Sequence, residues 1–422
     1  MSSASPAAAH GGMTGMLGLL GPGTLANPYP MYEMLHGAGS IVFMPGLFHI
    51  GAWIVGSHSA CSQILRGRGF GKEGQKVLAP EILARLPQEA VELAERRRNS
   101  MLFRDPPDHT RLRGLVNQAF TPRTVERLRP HIAEIAEQLI DAMVEKEREK
   151  GPGSADLITD FAFPLPIIVI AELLGVPPAD RDQFKAWSTE LTHGLRPDVT
   201  SEQIQSATRA IQAMDKYLEA VIEDRRRTPR ADLISELVAA QSEGDKLTMA
   251  ELTTTCRLIL TAGHETTVNL IGNGMLALLS NPAARTELAG DAALLPGAVE
   301  ELLRYDSPVQ MTMRFCYQDT ALGSHAIKRG DVLITVLGAA NRDPAQYPEP
   351  GRLDLRRENA HTHLSFGQGI HYCLGASLAR LEGALAVSAL LRRLPGLALT
   401  GQPLTWRSNP VLRGLTALPV TL

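Results

Sequence analysis

The stretch that decides how this chain is interpreted reads Phe366-Gly367-Gln368-Gly369-Ile370-His371-Tyr372-Cys373-Leu374-Gly375. Two glycines precede the cysteine, and glycine permits the positive φ that a tight turn needs. A third glycine follows at the predicted start of a helix, where free N–H groups and positive potential point at the sulfur. Such surroundings lower the pKa of a thiol and favour a thiolate that can bind a metal ion. Phe366 is placed to pack beside the sulfur and to keep water away from it.

The chemistry of this loop alone leaves three interpretations of Cys373 open. Most lone cysteines are buried core residues. A nucleophile activated by a nearby base is a second possibility, and a metal-binding thiolate is the third. The other cysteines, Cys61, Cys256 and Cys316, form no CxxC pair. Their spacing therefore argues against a disulfide scaffold and a zinc site, and it fits a reducing cytoplasm.

Length and composition describe a globular protein. At 422 residues the chain exceeds the usual size of one domain, so length alone predicts two or three. Its net charge of -3 gives no reason to expect a nucleic-acid partner. We find neither a basic signal-peptide region nor an apolar run long enough for a membrane span. Residues 1–24 are predicted to form a flexible N-terminal arm, and residues 25–422 a single domain.

The periodic patterns predict a mainly α-helical fold with a minor β region. Helices are expected at 123–150, 179–227 (one or two helices), 248–279, 296–305 and 375–394. The third of these begins with a capping box, Thr248 and Glu251, and is far longer than an average helix. Strands are expected at 41–43, 52–55 and 332–337, with short hairpins in 396–422.

The long predicted helix contains Ala262-Gly263-His264-Glu265-Thr266-Thr267. Ala262 and Thr266 are four residues apart and share a helix face, where a small side chain leaves room for a flat cofactor and dioxygen. An acid beside an alcohol, Glu265 beside Thr266, is typical of a proton relay. The alternative is an ordinary buried helix that contains threonines. We interpret His264 as structural or close to the substrate.

Two further pairs have helical spacing. Glu301 and Arg304 lie three residues apart on one face, a spacing that many surface ion pairs share. His109 and Arg113 lie four apart and face one way, and arginine binds carboxylates well. Taken alone, each of these residues is equally consistent with a solvated charge.

Six residues of the cysteine loop, taken together, resemble the haem-ligand loop of the cytochrome P450 family: Phe366, Gly367, Gly369, His371, Cys373 and Gly375. At average residue frequencies such a match arises by chance with a probability on the order of one in a million. The other motifs follow in the family's order, and the resemblance covers nearly the whole chain after about residue 24. It implies one triangular, helix-rich prism that encloses haem b, iron protoporphyrin IX, in place of two domains.

The resemblance also implies residue roles. Cys373 would bind the iron, and Glu265 and Thr266 would deliver protons. The residues expected around the haem are Ala262, Phe366, Gly367 and Gly375, with His109, Arg113, Arg314 and His371 on its carboxylates. Glu301 and Arg304 would form a buried structural pair that Arg352 joins. Glu265 stands where many members of the family have aspartate.

The activity implied is that of a monooxygenase. One oxygen atom of O2 would enter a lipophilic small molecule by hydroxylation or epoxidation. Because we find no flavin or nucleotide motif, electrons from NAD(P)H are expected through a ferredoxin and a ferredoxin reductase. Arg104, Arg111 and Arg380 would contribute to a basic docking face for the ferredoxin. We expect a cytoplasmic monomer.

The resemblance places the substrate pocket partly in the last third of the chain. Its expected lining residues are Val309, Met311, Met313, Val411 and Leu412, with Gln310, Thr312 and Asn409 placed to orient a polar group. A peroxide-driven or rearranging haem-thiolate enzyme and a non-enzymatic haem sensor are the alternatives. Neither needs the acid–alcohol pair, so its presence favours the monooxygenase.

Overall fold

The computed structural model describes residues 22–47, 51–84, 88–177, 180–193, 200–242 and 245–422. Most of the predicted N-terminal arm, residues 1–21, lies outside the described residues. The predicted domain boundary at residue 25 falls inside the helix Pro22–Ala26.

The described chain is mainly helical, as predicted. In chain order its α-helices are α1 (Pro22–Ala26), α2 (Tyr29–Gly37), α3 (His58–Arg66), α4 (Pro80–Leu83), α5 (Gln88–Arg97), α6 (Asp108–Ala119), α7 (Pro122–Arg127), α8 (Arg129–Lys150), α9 (Pro164–Leu174), α10 (Arg181–His193), α11 (Ser201–Arg227), α12 (Leu233–Ala239), α13 (Met249–Leu279), α14 (Pro282–Gly290), α15 (Leu295–Tyr305), α16 (Leu337–Ala340) and α17 (Ala376–Arg393). Short 3₁₀ turns lie at Gly74–Lys76, Met101–Phe103, Ala292–Leu294, Ala360–Thr362 and Gly369–His371, and one π-helical turn at Ile158–Ala162.

The strands are short. They are β1 (Ile41–Met44), β2 (Ala52–Val55), β3 (Phe70–Gly71), β4 (Ala155–Asp156), β5 (Gln241–Ser242), β6 (Asp245–Lys246), β7 (Thr312–Cys316), β8 (Thr320–Leu322), β9 (His325–Ile327), β10 (Val332–Thr335), β11 (Ala398–Leu399), β12 (Thr405–Trp406), β13 (Leu415–Ala417) and β14 (Pro419–Thr421). The largest sheet has the order β1-β2-β10-β7-β3, and only its β2–β10 pair is parallel. The predicted hairpins of the C-terminal segment appear as β12–β13 and as β11–β14, the latter extended by β4.

Local sequence signals explain where the helices begin. At the start of α13, Thr248 and Glu251 form the predicted capping box, in which each side chain accepts the other residue's backbone N–H. The helix predicted over 123–150 is divided in two at Leu128. Pro130 causes the division, because proline lacks an N–H and is therefore tolerated only in the first turn of α8.

The 31-residue helix α13 runs through the main apolar core. Its side chains are buried on almost every side, as expected of a helix that is apolar all round. It packs against α9, α11, α15 and α17. Two smaller apolar clusters cover the largest sheet. In the part of the chain that the structure describes, no helix has the length and apolarity that crossing a bilayer requires.

The predicted Glu301–Arg304 pair is fully buried on α15. Two parallel hydrogen bonds of 2.7 Å join the guanidinium to the carboxylate. Arg304 also donates to the carbonyl oxygens of Asn341 and Pro350, at 3.0 and 2.9 Å. A second guanidinium, that of Arg357, lies 3.2 Å from Glu301. The pair therefore joins α15 to two separate loops.

The prediction that the Arg352 side chain joins this pair is wrong. That side chain is 60% exposed and pairs with Glu349 and Asp354. Only its carbonyl oxygen takes part, accepting a hydrogen bond from Arg304 at 3.2 Å. Arg357, with a side chain 6% exposed, supplies the second cation. Sequence spacing does not say which arginine of a loop turns inward, because the backbone path decides it.

Replacing Arg304 by methionine should destabilise the protein by about 3–5 kcal/mol, because Glu301 would stay buried without its bidentate partner. The matched change Arg352→Met should cost less than about 1 kcal/mol, since it removes only an exposed pair. Urea denaturation of both variants measures the difference. Equal losses would show that the buried pair contributes nothing special to the fold.

Candidate functional site

The cysteine loop is a tight turn that closes against α3. Gly367 and Gly369 have φ angles of 67° and 71°, as the sequence predicted. A Cβ at position 369 would collide with the Leu65 carbonyl at the end of α3, so only glycine fits there. The Cys373 N–H donates to the Phe366 carbonyl at 2.9 Å and closes the turn.

A buried polar network holds the start of this loop. The Asn341 side chain accepts the Leu364 N–H at 2.6 Å and donates to the Ser307 and Ser365 hydroxyls at 2.7 and 2.8 Å. Ser365 in turn donates to the Leu303 carbonyl on α15 at 2.7 Å. The loop and the helix with the buried ion pair are therefore one hydrogen-bonded unit. The sequence analysis missed Asn341, since no local motif marks it.

The electrostatic environment of Cys373 differs from the prediction. Burial raises the pKa of the thiol, and the Gly375 N–H and the charges of Arg113 and Arg380 offset this only in part. The prediction of a lowered pKa is therefore wrong for the thiol without a bound metal. A metal cation supplies the missing stabilisation, because a coordinating thiol is deprotonated outright. A Cβ at Gly375 would meet nothing within 4 Å, so open space adjoins the loop two residues after Cys373.

Phe366 flanks the cysteine loop. Its ring packs against an apolar cluster that includes Leu270 and Leu303. The Arg380 guanidinium lies 4.5 Å from the ring centre. The aromatic ring thus covers one side of the loop, and its packing beside the sulfur stays a prediction.

In the middle of α13 one line of small side chains faces open space. Ala262 is exposed and Thr266 is half-buried, whereas His264 and Glu265 between them are buried. The Thr266 hydroxyl donates to the Ala262 carbonyl at 2.7 Å. This is the face on which the sequence predicted room for a flat cofactor.

Glu265 points to a different side of α13 from Thr266, because consecutive helical residues do not face each other. Its carboxylate is buried and lies 3.3 Å from the Arg407 guanidinium. The acid and the alcohol are thus adjacent in sequence, yet each side chain turns to its own partner. His264 is also buried and packs edge-on against Phe163, at 4.4 Å between ring centres, which supports the structural interpretation.

His109 and His371 meet beside the cysteine loop, with ring centres 4.4 Å apart. Burial, together with the charge of Arg314, lowers the pKa of His371 to about 4. The nearest carboxylate, that of Asp105, lies 3.9 Å away, which is too long for a hydrogen bond. Among the described residues, His109 Nδ1 and His371 Nε2 have no hydrogen-bond partner. Buried orphan nitrogens are costly and indicate that a further polar group belongs here.

Three side chains add positive charge around these histidines. Arg314 is buried on β7, and burial lowers its pKa to about 10. Arg113 is close enough for its charge to act on both His109 and Cys373. Lys72, which the sequence analysis missed, donates to Thr312 at 2.9 Å, and burial together with Arg314 holds its pKa well below its usual value. We call Lys72, His109, Arg113, Arg314 and His371 the cationic cluster.

The cationic cluster suits a ligand with two carboxylates, because desolvated cations and ring N–H groups are best satisfied by anions. The other requirements of haem are a thiol ligand and a flat open space. Cys373 and the Ala262 face of α13 provide them. The residues present therefore fit the haem that the cysteine loop implied.

The predicted substrate residues lie in two segments, one at the start of β7 and the other between β12 and β13. Val309 and Leu412 are joined by a single β-bridge. Met311 packs in the cluster of α2 and the largest sheet, and Val411 packs against the same cluster. Met313 is exposed on the face of β7 opposite the buried Arg314. That these residues line the substrate pocket stays a prediction.

Two polar residues expected near the substrate are used internally. Gln310 accepts a hydrogen bond from Tyr32 and donates to the Ser307 carbonyl at 2.6 Å. The side-chain oxygen Oδ1 of Asn409 accepts the Val411 N–H at 2.9 Å. Both side chains thus hold loops in place.

Glu382 on α17 is a second acid close to α13 that the sequence analysis missed. Its side chain is buried, and burial raises its pKa to about 8, although a hydrogen bond with Thr267 acts in the opposite direction. At neutral pH this carboxyl is therefore largely protonated. It lies next to Thr267, the residue that follows Thr266.

Comparison with known proteins agrees with this geometry. The Cytochrome P450 family profile matches residues 77–403. The polyketide biosynthesis cytochrome P450 PksS of Bacillus subtilis is 43% identical over 375 residues, 88% of this chain and 89% of the relative. The cytochrome P450 monooxygenase PikC of Streptomyces venezuelae is 42% identical over 408 residues, 96% and 93% of the two chains. The crystal structure of P450BioI in complex with hexadec-9Z-enoic acid ligated acyl carrier protein superposes with a TM-score of 0.86, at 38% identity, covering 95% of this chain and 99% of that one.

If the Lys72 ammonium helps to bind the haem carboxylates, Lys72→Met should release haem about 10- to 100-fold faster, since a hydrogen bond to a charged group contributes roughly 1.5–3 kcal/mol. Transfer of haem to apomyoglobin measures the rate. Lys76→Met is the matched control, because Lys76 is half-exposed and pairs with Glu73. Equal release rates in the two variants would remove Lys72 from the cationic cluster.

Proposed function

The chain belongs to the cytochrome P450 family and is a monooxygenase with haem b as its cofactor, and on this premise we propose that its substrate is a lipophilic acyl or polyketide-like chain. Hydroxylation or epoxidation then places one oxygen atom in this substrate. The names of two similar proteins support the substrate class: one relative acts in polyketide biosynthesis, and one solved structure contains an acyl chain on its carrier protein.

The observation that carries the proposal is the open line along α13. Leu258, Ala262 and Thr266 follow one another at a spacing of four residues, and all three are at least partly exposed, whereas most side chains of α13 are buried. The line offers apolar surface and one hydroxyl, with no charge. Such a surface binds a ligand by shape and apolar contact rather than by ion pairing. We propose Val309 and Leu412 as further parts of the pocket wall.

We assign the chemical roles as follows. Cys373 binds the iron, and the cationic cluster binds the two carboxylates of the cofactor. When bound, haem supplies the centre at which dioxygen is reduced by two electrons, with one oxygen atom going to product and the other to water. Thr266 presents its hydroxyl on the open face of α13, and Glu265 carries protons to it. The buried walls around this face exclude bulk water.

We propose that a ferredoxin, reduced by its reductase, supplies the electrons. On the outer surface of the cysteine loop, Ile370 is 49% exposed and Tyr372 is also exposed. The exposed Arg66 and Arg68 lie at the end of α3, on which the loop closes. An apolar centre with cations beside it suits a small acidic partner. The cations predicted for this face each pair with an acid of this chain, Arg104 with Glu73 and Asp108, Arg111 with Glu251 and Asp245, and Arg380 with Glu300.

Titration of the ferric protein with hexadec-9Z-enoic acid should shift the Soret band from the low-spin to the high-spin position, because the apolar chain displaces water from the open face. With ferredoxin, reductase and NAD(P)H, a product heavier by one oxygen atom should follow. Acetate is the control and should do neither. A spin shift with polar ligands only would contradict the substrate class, and full activity with hydrogen peroxide alone would favour the peroxide-driven alternative.

A further inference from the structure

The Arg380 guanidinium lies over the ring of Phe366. Its central carbon is 4.5 Å from the ring centre. Arg380 belongs to the second turn of α17, the helix that begins three residues after Cys373. Phe366 opens the cysteine loop, and its carbonyl accepts the Cys373 N–H at 2.9 Å. A positive charge is therefore fixed close to the turn that presents the sulfur.

Glu300 holds this guanidinium from α15. Nε and Nη2 of Arg380 donate to the two carboxylate oxygens at 2.6 and 2.9 Å, and a bidentate pair of this kind fixes the plane of the cation. The third donor, Nη1, binds the Tyr372 hydroxyl at 3.0 Å. Glu300 directly precedes Glu301, whose buried pair with Arg304 fixes α15. The cation is thus held between a rigid helix and the cysteine loop.

The acid of this pair is largely buried and stays ionised. The Glu300 side chain is 14% exposed, and the buried His363 ring lies 3.3 Å from its carboxylate. Burial alone would raise the pKa of Glu300, but the contacts with His363 and Arg380 lower it to about 2. The arginine is always charged. The cation faces the loop, because it lies over Phe366 and binds Tyr372.

The charge of Arg380 reaches the sulfur. Burial raises the pKa of the Cys373 thiol, and the charge of Arg380 acts in the opposite direction. A cation that stabilises negative charge on the sulfur also stabilises an iron–thiolate centre that has gained an electron, because the added charge is negative. The Arg380 side chain is only 34% exposed, so solvent screens this effect less than at an open surface.

We propose that Arg380, held by Glu300 over the Phe366 ring, is a positioning residue whose charge sets the reduction equilibrium of the haem iron. The step is the transfer of one electron from the ferredoxin, which converts the ferric protein to the ferrous one without making or breaking a covalent bond in the protein. This rests on the assignment of Cys373 as iron ligand in the proposed function. It gives Arg380 a role toward the cofactor in place of the docking role that the sequence predicted.

The test equilibrates holoenzyme variants with a redox dye, in the absence of ferredoxin, and measures the ratio of ferrous to ferric protein by absorbance. Arg380→Met should shift this equilibrium at least about fivefold toward the ferric form, where tenfold corresponds to about 59 mV for one electron. Arg380→Lys keeps the charge and should stay within about twofold of the unmodified protein. Glu300→Gln removes a negative charge and leaves the cation, so it should shift the equilibrium at least about twofold toward the ferrous form.

Arg392→Met is the matched control. Arg392 lies on the same helix and pairs with Glu137, but its side chain is 61% exposed. It is about 18 Å farther along the helix axis than Arg380, beyond the distance over which exposed charges act in physiological salt. This variant should leave the reduction equilibrium unchanged. A shift equal to that of Arg380→Met would make the effect one of net charge and would overturn the proposal.

The two variants of the pair separate charge from packing. A shift in the same direction in Arg380→Met and Glu300→Gln would show that loosening of the Phe366 ring, and not the charge, acts on the iron, and would overturn the proposal. An unchanged equilibrium in Arg380→Met with a raised KM for ferredoxin would make Arg380 a docking residue and also overturn it. If Arg380→Met does not retain haem, the direction of the shift in Glu300→Gln decides.

Failure of this inference and failure of its premise give different results. A carbon monoxide band that is unchanged in Cys373→Ser would remove the premise that Cys373 binds the iron. An unchanged reduction equilibrium in Arg380→Met, in a protein whose band is lost in Cys373→Ser, would overturn the role of Arg380 alone.

Discussion

The position of the cysteine loop depends on its being held from three sides at once. The Asn341 network fixes its start to α15, Gly369 rests on the end of α3, and His371 packs against His109 of α6. Protein interiors are packed too densely for one of these contacts to move alone. The distance between the Cys373 thiol and the open face of α13 is thus a consequence of the whole fold. The buried ion pair of α15 contributes by fixing the helix to which the network is bonded.

The distribution of charge explains why this fold needs its cofactor. The cationic cluster gathers several desolvated cations and orphan ring nitrogens around the carboxylate of Asp105. Such an arrangement raises the free energy of the protein until an anion satisfies it. A ligand with two carboxylates and a metal for the thiol relieves both costs at the same time. Haem binding and folding stability are therefore coupled, because a ligand that binds only the folded state stabilises it.

What could be predicted from the sequence is what neighbouring residues encode. The glycine turns, the capping box of α13, the Glu301–Arg304 pair and the His109–Arg113 pair all follow from spacings of a few residues. The cysteine loop was specific enough to indicate the family and, through it, the architecture. Mainly helical structure with a small sheet followed from periodicity alone.

What could not be predicted depends on contacts between distant segments. Lys72 meets Thr312 across 240 residues, and Arg407 meets Glu265 across 142. No local pattern marks such partners. The face of β7 on which Met313 lies is set by the register with its neighbouring strands. The pKa of Cys373 was predicted in the wrong direction because burial of the sulfur, a tertiary effect, outweighs the helix N-terminus.

The most direct test of the central claim, a haem held by Cys373, is the absorbance spectrum of the reduced protein with carbon monoxide. Thiolate ligation predicts a Soret band strongly shifted to the red of that of histidine-ligated haem proteins, and loss of this band in Cys373→Ser. A protein that binds no haem on reconstitution, or whose band is typical of histidine ligation and unchanged in Cys373→Ser, would contradict the account.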